Sequence, residues 1–414
     1  MEIQPDADRI QRDIETLASY TDPGEKGYTR LSFSEQIRQA NAYAIEKMQS
    51  EAGLQASVDV IGNLIGRREG DNPDLPALMI GSHLDTVKAG GRFDGVIGVL
   101  AGLEIARCLN AAGVTLNHPL EVVSFLAEEP SPYGMSTIGS RAMTGHLSLE
   151  ALQKARSIEG ESLYDAIRRF GGNPDQLDQA VRAPGSIGAF LEMHIEQGPV
   201  LYKRQIPIGI VSGIVSIYRG EITITGESNH AGTTPMHLRK DALTVAARLI
   251  SDVDRIARST KNLVITIGEL ELQPNASNVI PGKVKLGIEL RSLEESVLQK
   301  SVERIEGAVY RCQPPAGVEI ARRFWLSSPQ VRFPDRIIEI AQQTCEKLKF
   351  PYLTLSSGAG HDASYLAEIA PTGMVFVPSV NGLSHCPDEY TPLEDIVRGI
   401  KLMGDIVLEL DRQL

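Results

Sequence analysis

The sequence predicts an α/β fold, a mixed, mostly parallel sheet flanked by helices, with an inserted α+β domain. Three observations carry this. The chain has 414 residues, more than one ordinary core organises. Short, continuous apolar runs alternate with stretches of helical periodicity, the signature of buried strands linked by helices. The texture changes to alternating, glycine-bearing segments after about residue 212 and returns to the first pattern after about 327. The expected organisation is a discontinuous catalytic domain, 1–212 and 328–414, interrupted by an inserted domain, 213–327.

The segment from Ile10 to Leu54 reads as helices broken by a turn at 21–27 (Thr-Asp-Pro-Gly-Glu-Lys-Gly). Residues 57–67 alternate and carry glycines, which predicts a strand pair. Pro76 to Ser82 is a short apolar run suited to a central strand. Gly95 to Ala112 has helical spacing, and Leu120 to Ala127 is a second buried strand. Ser186 to His194 is a third. Ile208 to Thr225 reads as sheet hairpins, Asp241 to Ser259 as a long amphipathic helix, 263–268 and Val284 to Arg291 as strands, and Leu293 to Cys312 as a helix. The last part predicts helix Pro334 to Leu348, a Ser/Gly/Ala loop at 356–360, strand Gly373 to Val377 and helix Leu393 to Leu410.

Composition narrows the function classes. A formal net charge of −12 argues against nucleic-acid or anionic-membrane partners, which need a basic face. No apolar run reaches bilayer-spanning length. The first residues are acidic and lack an apolar h-region, so the expectation is no secretory signal and a cytoplasmic setting. Cys108, Cys312, Cys345 and Cys386 are scattered without CxxC spacing, which predicts free thiols.

The chemistry-bearing residues recur at strand ends. His83 and Asp85 follow the run ending at Ser82, where open α/β sheets place their sites. His83 suits a metal ligand, and Asp85 could accept its second imidazole proton. Asp94, eleven positions after His83, precedes a helix. It can cap that helix, bridge two cations, or do both. Glu128 and Glu129 are adjacent carboxylates at a strand end, which is costly unless a cation compensates. One could bind metal while the other accepts a proton from an activated water. His194 and Glu196 share a face of an extended segment. His385 follows the strand ending at Val377 and a loop. Three histidines and two carboxylates suit zinc, or manganese, cobalt or nickel.

These motifs, with Gly-Tyr-Thr-Arg-Leu-Ser-Phe-Ser (27–34), Gly-Ser-His-Leu-Asp-Thr-Val (81–87), His-Ile-Glu-Gln-Gly (194–198), His-Ala-Gly-Thr-Thr-Pro-Met (230–236), Ser-Asn-Val-Ile-Pro (277–281) and Gly-His-Asp-Ala (360–363), resemble the zinc peptidase and amidohydrolase family of aminoacylase and carboxypeptidase G. The closest branch is the hydantoinase/carbamoylase group, which includes N-carbamoyl-L-amino acid hydrolases and allantoate amidohydrolases. The resemblance covers nearly the whole chain. It implies a zinc aminopeptidase-like catalytic domain with two divalent metal ions per subunit. One would be held by His83, Asp94 and His194, and the other by Asp94, Glu129 and His385. Glu128 would be the general base and Asp85 a support for His83. His230 would stabilise the oxyanion, often in the partner subunit's site, and the inserted domain would form a homodimer. Asn278 and Arg291 would hold the carboxylate of a small-molecule substrate, Gln197 its amide, and Gly360 and His361 would line the pocket. The implied reaction is hydrolysis of the carbamoyl C–N bond of an N-carbamoyl-L-amino acid or related ureido acid. N-acyl or N-formyl amino acid hydrolysis, dipeptidase action, or an inert ligand-binding homologue stay open.

One departure stands out. The branch follows its Glu-Glu pair with Gly-x-Arg-Phe. Here Pro130-Ser131-Pro132-Tyr133 stiffens the segment after Glu129, which predicts an altered substrate side.

Overall fold

The computed structural model describes residues 2–24, 26–312 and 314–414; Glu25, inside the expected 21–27 turn, lies outside the described residues. Two compact units result, Met1–Ser212 with Phe333–Leu414, and Gly213–Arg332.

The first unit is built on a mixed sheet. In spatial order its strands are Gln55–Val58, Leu64–Arg68, Leu120–Phe125, Ala77–His83, Ile187–Ile195, Thr372–Val377 and Ile208–Ile214, with Tyr352–Ser357 beside the last. The four central strands run parallel to one another, and Gln55–Val58, Leu64–Arg68 and Ile208–Ile214 pair antiparallel. Ala77–His83 and Leu120–Phe125 are buried at every position, which is why they read as unbroken apolar runs. Their parallel direction brings the segments after His83, Phe125, Ile195 and Val377 to one edge of the sheet.

Helix Val96–Ala111 is buried on nearly all sides, packed on the sheet and against helices Ala7–Ser19 and Leu393–Gln413. Its Gly98 lets it lie close to the sheet: a Cβ there would come 2.5 Å from the Met193 carbonyl oxygen and 2.6 Å from Ser82 Cβ. Truncating Leu100 or Leu103 to alanine in this packed layer should cost about 2–5 kcal/mol.

The second unit is an antiparallel sheet in the order Glu319–Ser328, Ser216–Thr225, Lys283–Ser292, Val264–Gln273. Period-two alternation sends Ile222, Ile224, Leu286 and Ile288 to one face, where helices Ala242–Arg258 and Glu295–Arg311 cover them with Leu249, Val253, Leu298 and Ile305. The other face carries Arg219, Glu221, Glu289 and Arg291. Asp241 caps the first helix, accepting the amides of Leu243 and Thr244.

Two expectations change here. Residues 208–225 form two strands that do not pair with each other: Ile208–Ile214 pairs with Thr372–Val377, and Ser216–Thr225 with the second sheet. The second unit also runs past the expected end at 327, to Arg332, because it includes the unexpected strand Glu319–Ser328. Arg322, Arg323 and Trp325 obscure the alternation of that edge strand. Among the described residues, no helix is long and apolar enough to cross a membrane.

Candidate metal centre

His83 ends its strand and is 1% exposed. Its Nδ1 lies 3.0 Å from the Asp85 main-chain oxygen. His194, also 1% exposed, places Nδ1 3.0 Å from the Ile195 main-chain oxygen. A carbonyl oxygen only accepts, so each Nδ1 carries the proton and each Nε2 turns its lone pair inward.

Both Nε2 atoms face Asp94. Its Oδ1 is 3.2 Å from His194 Nε2 and 3.7 Å from His83 Nε2. Its Oδ2 is 3.4 Å from His385 Nε2, and His385 Nε2 is 3.1 Å from Glu129 Oε1. One carboxylate thus divides its oxygens between two donor sets, His83–Asp94–His194 and Asp94–Glu129–His385. Lone pairs aimed at carboxylate oxygens repel unless a positive charge intervenes. Without a metal that charge is a proton: burial opposes protonation of His194, but Asp94 overrides it and raises the imidazole to about 9. Hydrogen bonds to Asp94 and Glu129 raise His385 to about 10. Burial opposes ionisation of Asp94, yet His194, His385 and His83 together hold it well below the carboxylate range. A divalent cation meets the same demand, so these donors fit one.

Asp94 does not cap its helix. Gly95 occupies the cap position with φ +69° and no side-chain cap bond exists. A Cβ on Gly95 would lie 2.3 Å from His83 Cε1 and Nε2, so only glycine leaves room for the ring.

Glu128 and Glu129 lie past the strand end, beyond Ala127 at φ +52°. Glu128 Oε2 is 3.6 Å from His83 Nε2. Burial, then the neighbouring Glu129, push the Glu128 carboxyl well above its ordinary range. The role expected of Asp85 is corrected. Its main-chain oxygen, not its carboxylate, is the close acceptor for His83, the carboxylate being 3.6 Å away. That carboxylate instead receives the amides of Glu128 (3.3 Å) and Glu129 (3.2 Å), fixing the pair. Burial, with Glu129 beside it, raises Asp85 to about 8.

Gln197 Nε2 donates to Asp94 Oδ2 at 2.7 Å and lies 3.4 Å from His385 Nε2. Glu196 serves elsewhere, accepting the amides of Val200 and Leu201 at 2.8 Å each. Gly360 is exposed, whereas His361 is 2% exposed, with Nε2 2.8 Å from Ser357 Oγ and its ring edge-on to His194 at 4.5 Å between centroids. His361 therefore packs against the His194 ring.

Glu389 joins the site without having been expected there. Its Oε1 accepts the amides of Phe93 (3.0 Å) and Asp94 (3.1 Å), and its Oε2 lies 3.2 Å from Ser384 Oγ, which donates to Asp94 Oδ2 at 2.7 Å. It ties the turn carrying Asp94 to the loop carrying His385. The only sequence signal is an acid four positions after His385. Arg30, from the 27–34 motif, is buried and donates Nε to the Leu84 carbonyl at 2.6 Å, bracing the turn after His83. The stiffened segment after Glu129 folds as a turn: Gly134 N–H donates to the Ser131 carbonyl, and the Tyr133 hydroxyl to Glu161.

In the second unit, His230 is exposed, and its Nδ1 accepts the amides of Gly232 (3.0 Å) and Thr233 (3.2 Å), leaving Nε2–H as an outward donor. Asn278 is exposed, and its carbonyl accepts the Ala231 amide. Arg291 lies on strand Lys283–Ser292 beside Glu289.

The profile of Peptidase family M20/M25/M40 matches residues 79–409. The chain is 40% identical over 406 residues to an N-carbamoyl-L-amino-acid amidohydrolase of Pseudomonas sp. (strain NS671), covering 97% of this chain and 98% of that one. It is 41% identical over 384 residues to an N-carbamoyl-L-amino acid amidohydrolase of Geobacillus stearothermophilus, covering 93% of each. Among solved structures it is similar to a hydantoinase/carbamoylase family amidase from Burkholderia multivorans, with a TM-score of 0.91 at 33% identity over 99% of this chain and 98% of that one. A profile match over most of the length, on a sheet whose strand ends gather these donors, makes the chain a member of peptidase family M20/M25/M40.

Proposed function

We propose that this protein is a metal-dependent amidohydrolase that cleaves the carbamoyl C–N bond of N-carbamoyl-L-amino acids or a related ureido acid. The observation that carries the reading is the division of Asp94 between two imidazole-bearing donor sets, with the Glu128 carboxyl 3.6 Å from the His83 ring. Two divalent ions, zinc or else manganese, cobalt or nickel, would be held by His83, Asp94 and His194, and by Asp94, Glu129 and His385. Such ions supply Lewis acidity toward a carbonyl and a water. Glu128 takes the proton from the attacking water on Oε2 and returns it to the leaving nitrogen. The carbamoyl group leaves as carbamic acid, which falls to ammonia and carbon dioxide, and the amino acid is released. Asp85 holds Glu128 and Glu129 in register through their amides. Gln197 contacts the substrate amide, and Arg291 grips the carboxylate with its planar fork.

His230 donates Nε2–H to the developing oxyanion, and Asn278 adds a contact to the carboxylate. They do so across a homodimer. Arg291 is eight residues of extended strand from Lys283, about 26 Å, and the His230–Val279 bridge lies beyond the Lys283 end. One small substrate cannot touch both ends in one chain. Mixing inactive Glu128→Gln and His230→Ala proteins should restore up to about a quarter of wild-type activity through mixed dimers; no recovery refutes the trans role.

The substrate is tested by ammonia release across N-carbamoyl, N-formyl and N-acyl L-amino acids on metal-loaded protein. Preference for the carbamoyl series is expected, and hydrolysis of only the acyl or dipeptide series overturns it.

A further inference from the structure

We infer that Glu289 is a built-in competitor for the substrate's carboxylate: it engages Arg291 before substrate binds and retreats to Arg219 when the carboxylate arrives. The inference rests on the reading of Arg291 as the carboxylate holder. It starts from three side chains on one sheet face. Glu289 and Arg291 are two apart on strand Lys283–Ser292, so they project to the same side. Arg219 stands directly opposite Glu289 in the ladder. Glu289 Oε1 accepts Nε of Arg291 at 2.8 Å and lies 2.6 Å from one of its terminal nitrogens. The other oxygen, Oε2, accepts Nε of Arg219 at 3.2 Å.

Glu289 thus fills the donor fork a substrate carboxylate would use. Its own second oxygen is already held by another arginine. The exchange keeps charges matched: one carboxylate between two arginines becomes one carboxylate on each. It is also easy. Arg219, Glu289 and Arg291 are 55%, 27% and 34% exposed, and pairs so exposed are held weakly. Room exists, since Glu289 borders a hollow of about 420 Å³ that Arg219 and Gly268 also line. Glu289 is therefore a specificity-determining residue. It sets how strongly a ligand must present a carboxylate to win Arg291.

The test is a pair of substitutions with opposite signs, read by KM on the metal-loaded enzyme and by calorimetric binding of the product amino acid. Glu289→Gln removes the competitor and should lower KM and product Kd about two- to fivefold. Arg219→Gln removes the retreat, leaves Glu289 on Arg291, and should raise both by a similar factor. The double variant should follow Glu289→Gln. A raised or unaltered KM in Glu289→Gln, or the same direction in both single variants, overturns the inference. Arg291→Gln separates it from the underlying reading. If that variant does not raise KM at least about tenfold, Arg291 does not hold the carboxylate. If it does, and Glu289→Gln fails to lower KM, only the competitor role falls.

Discussion

The two units hold their polar groups in opposite ways. In the first, His83, Asp94, Glu128, Glu129 and His194 are each less than a tenth exposed; main-chain carbonyls orient both imidazoles, the Asp85 carboxylate holds the amides of both glutamates, and Gln197 and Ser384 hold Asp94. In the second, His230 and Asn278 are exposed and Arg291 is half-buried on an open sheet face. Buried charges tolerate no free partner, so the first set is over-determined and demands a cation. The second set costs little alone and is free to exchange partners. The contrast separates groups that must be rigid before a ligand arrives from groups that adjust to it.

Substitutions can break this contrast. The largest expected effect is at Glu128. Glu128→Gln should keep its metal, measured by emission spectrometry, while kcat falls roughly 10²- to 10⁴-fold. Near-normal turnover would remove Glu128 as the base. Next is Glu389→Gln, which leaves the donor atoms in place but loosens the Phe93 and Asp94 amides. Metal affinity should fall about 10- to 100-fold, with a changed cobalt absorption spectrum. Unaltered affinity would mean that the Asp94 turn holds itself.

A pH effect follows in metal-stripped protein. His194 and His385 have folded values of about 9 and 10, above their ordinary 6.5. Their stabilising contribution is full below about 6.5 and disappears as pH rises through those values. Asp85, raised to about 8, shifts stability in the same direction, since its ionisation in the fold is disfavoured. Thermal melts of the stripped protein should therefore drop from pH 6.5 to 9, and a divalent ion should restore more at pH 9 than at pH 6.5. A flat stripped profile would contradict the charge arrangement. The smallest effect belongs to the second unit. Asp241→Ala removes a helix cap and should cost about 1 kcal/mol, without changing metal content.

The same contrast governs what could be read from the chain. His83 and His194 were legible because each ends an apolar run, and a polar group there has few bland explanations. The fold class was legible for the same reason, since buried parallel strands announce themselves as unbroken apolar segments. Glu389 was not, because an acid in a polar loop looks solvated and only the fold shows it closed over by Gly91 and Ser384. The part played by Asp85 was half visible: the sequence points to its side chain, but which oxygen reaches the ring depends on how the turn closes. Strand Glu319–Ser328 was hidden because an edge strand with one solvated face need not alternate cleanly.

Asp94 has a consequence for anyone who would retune this protein. Because a single side chain is common property of both donor sets, neither set is an independent module. An altered imidazole on one side changes the field felt on the other through the same two oxygens. Redesign toward a different ion would therefore need coordinated replacements at both sets, and single-site libraries should return mostly losses.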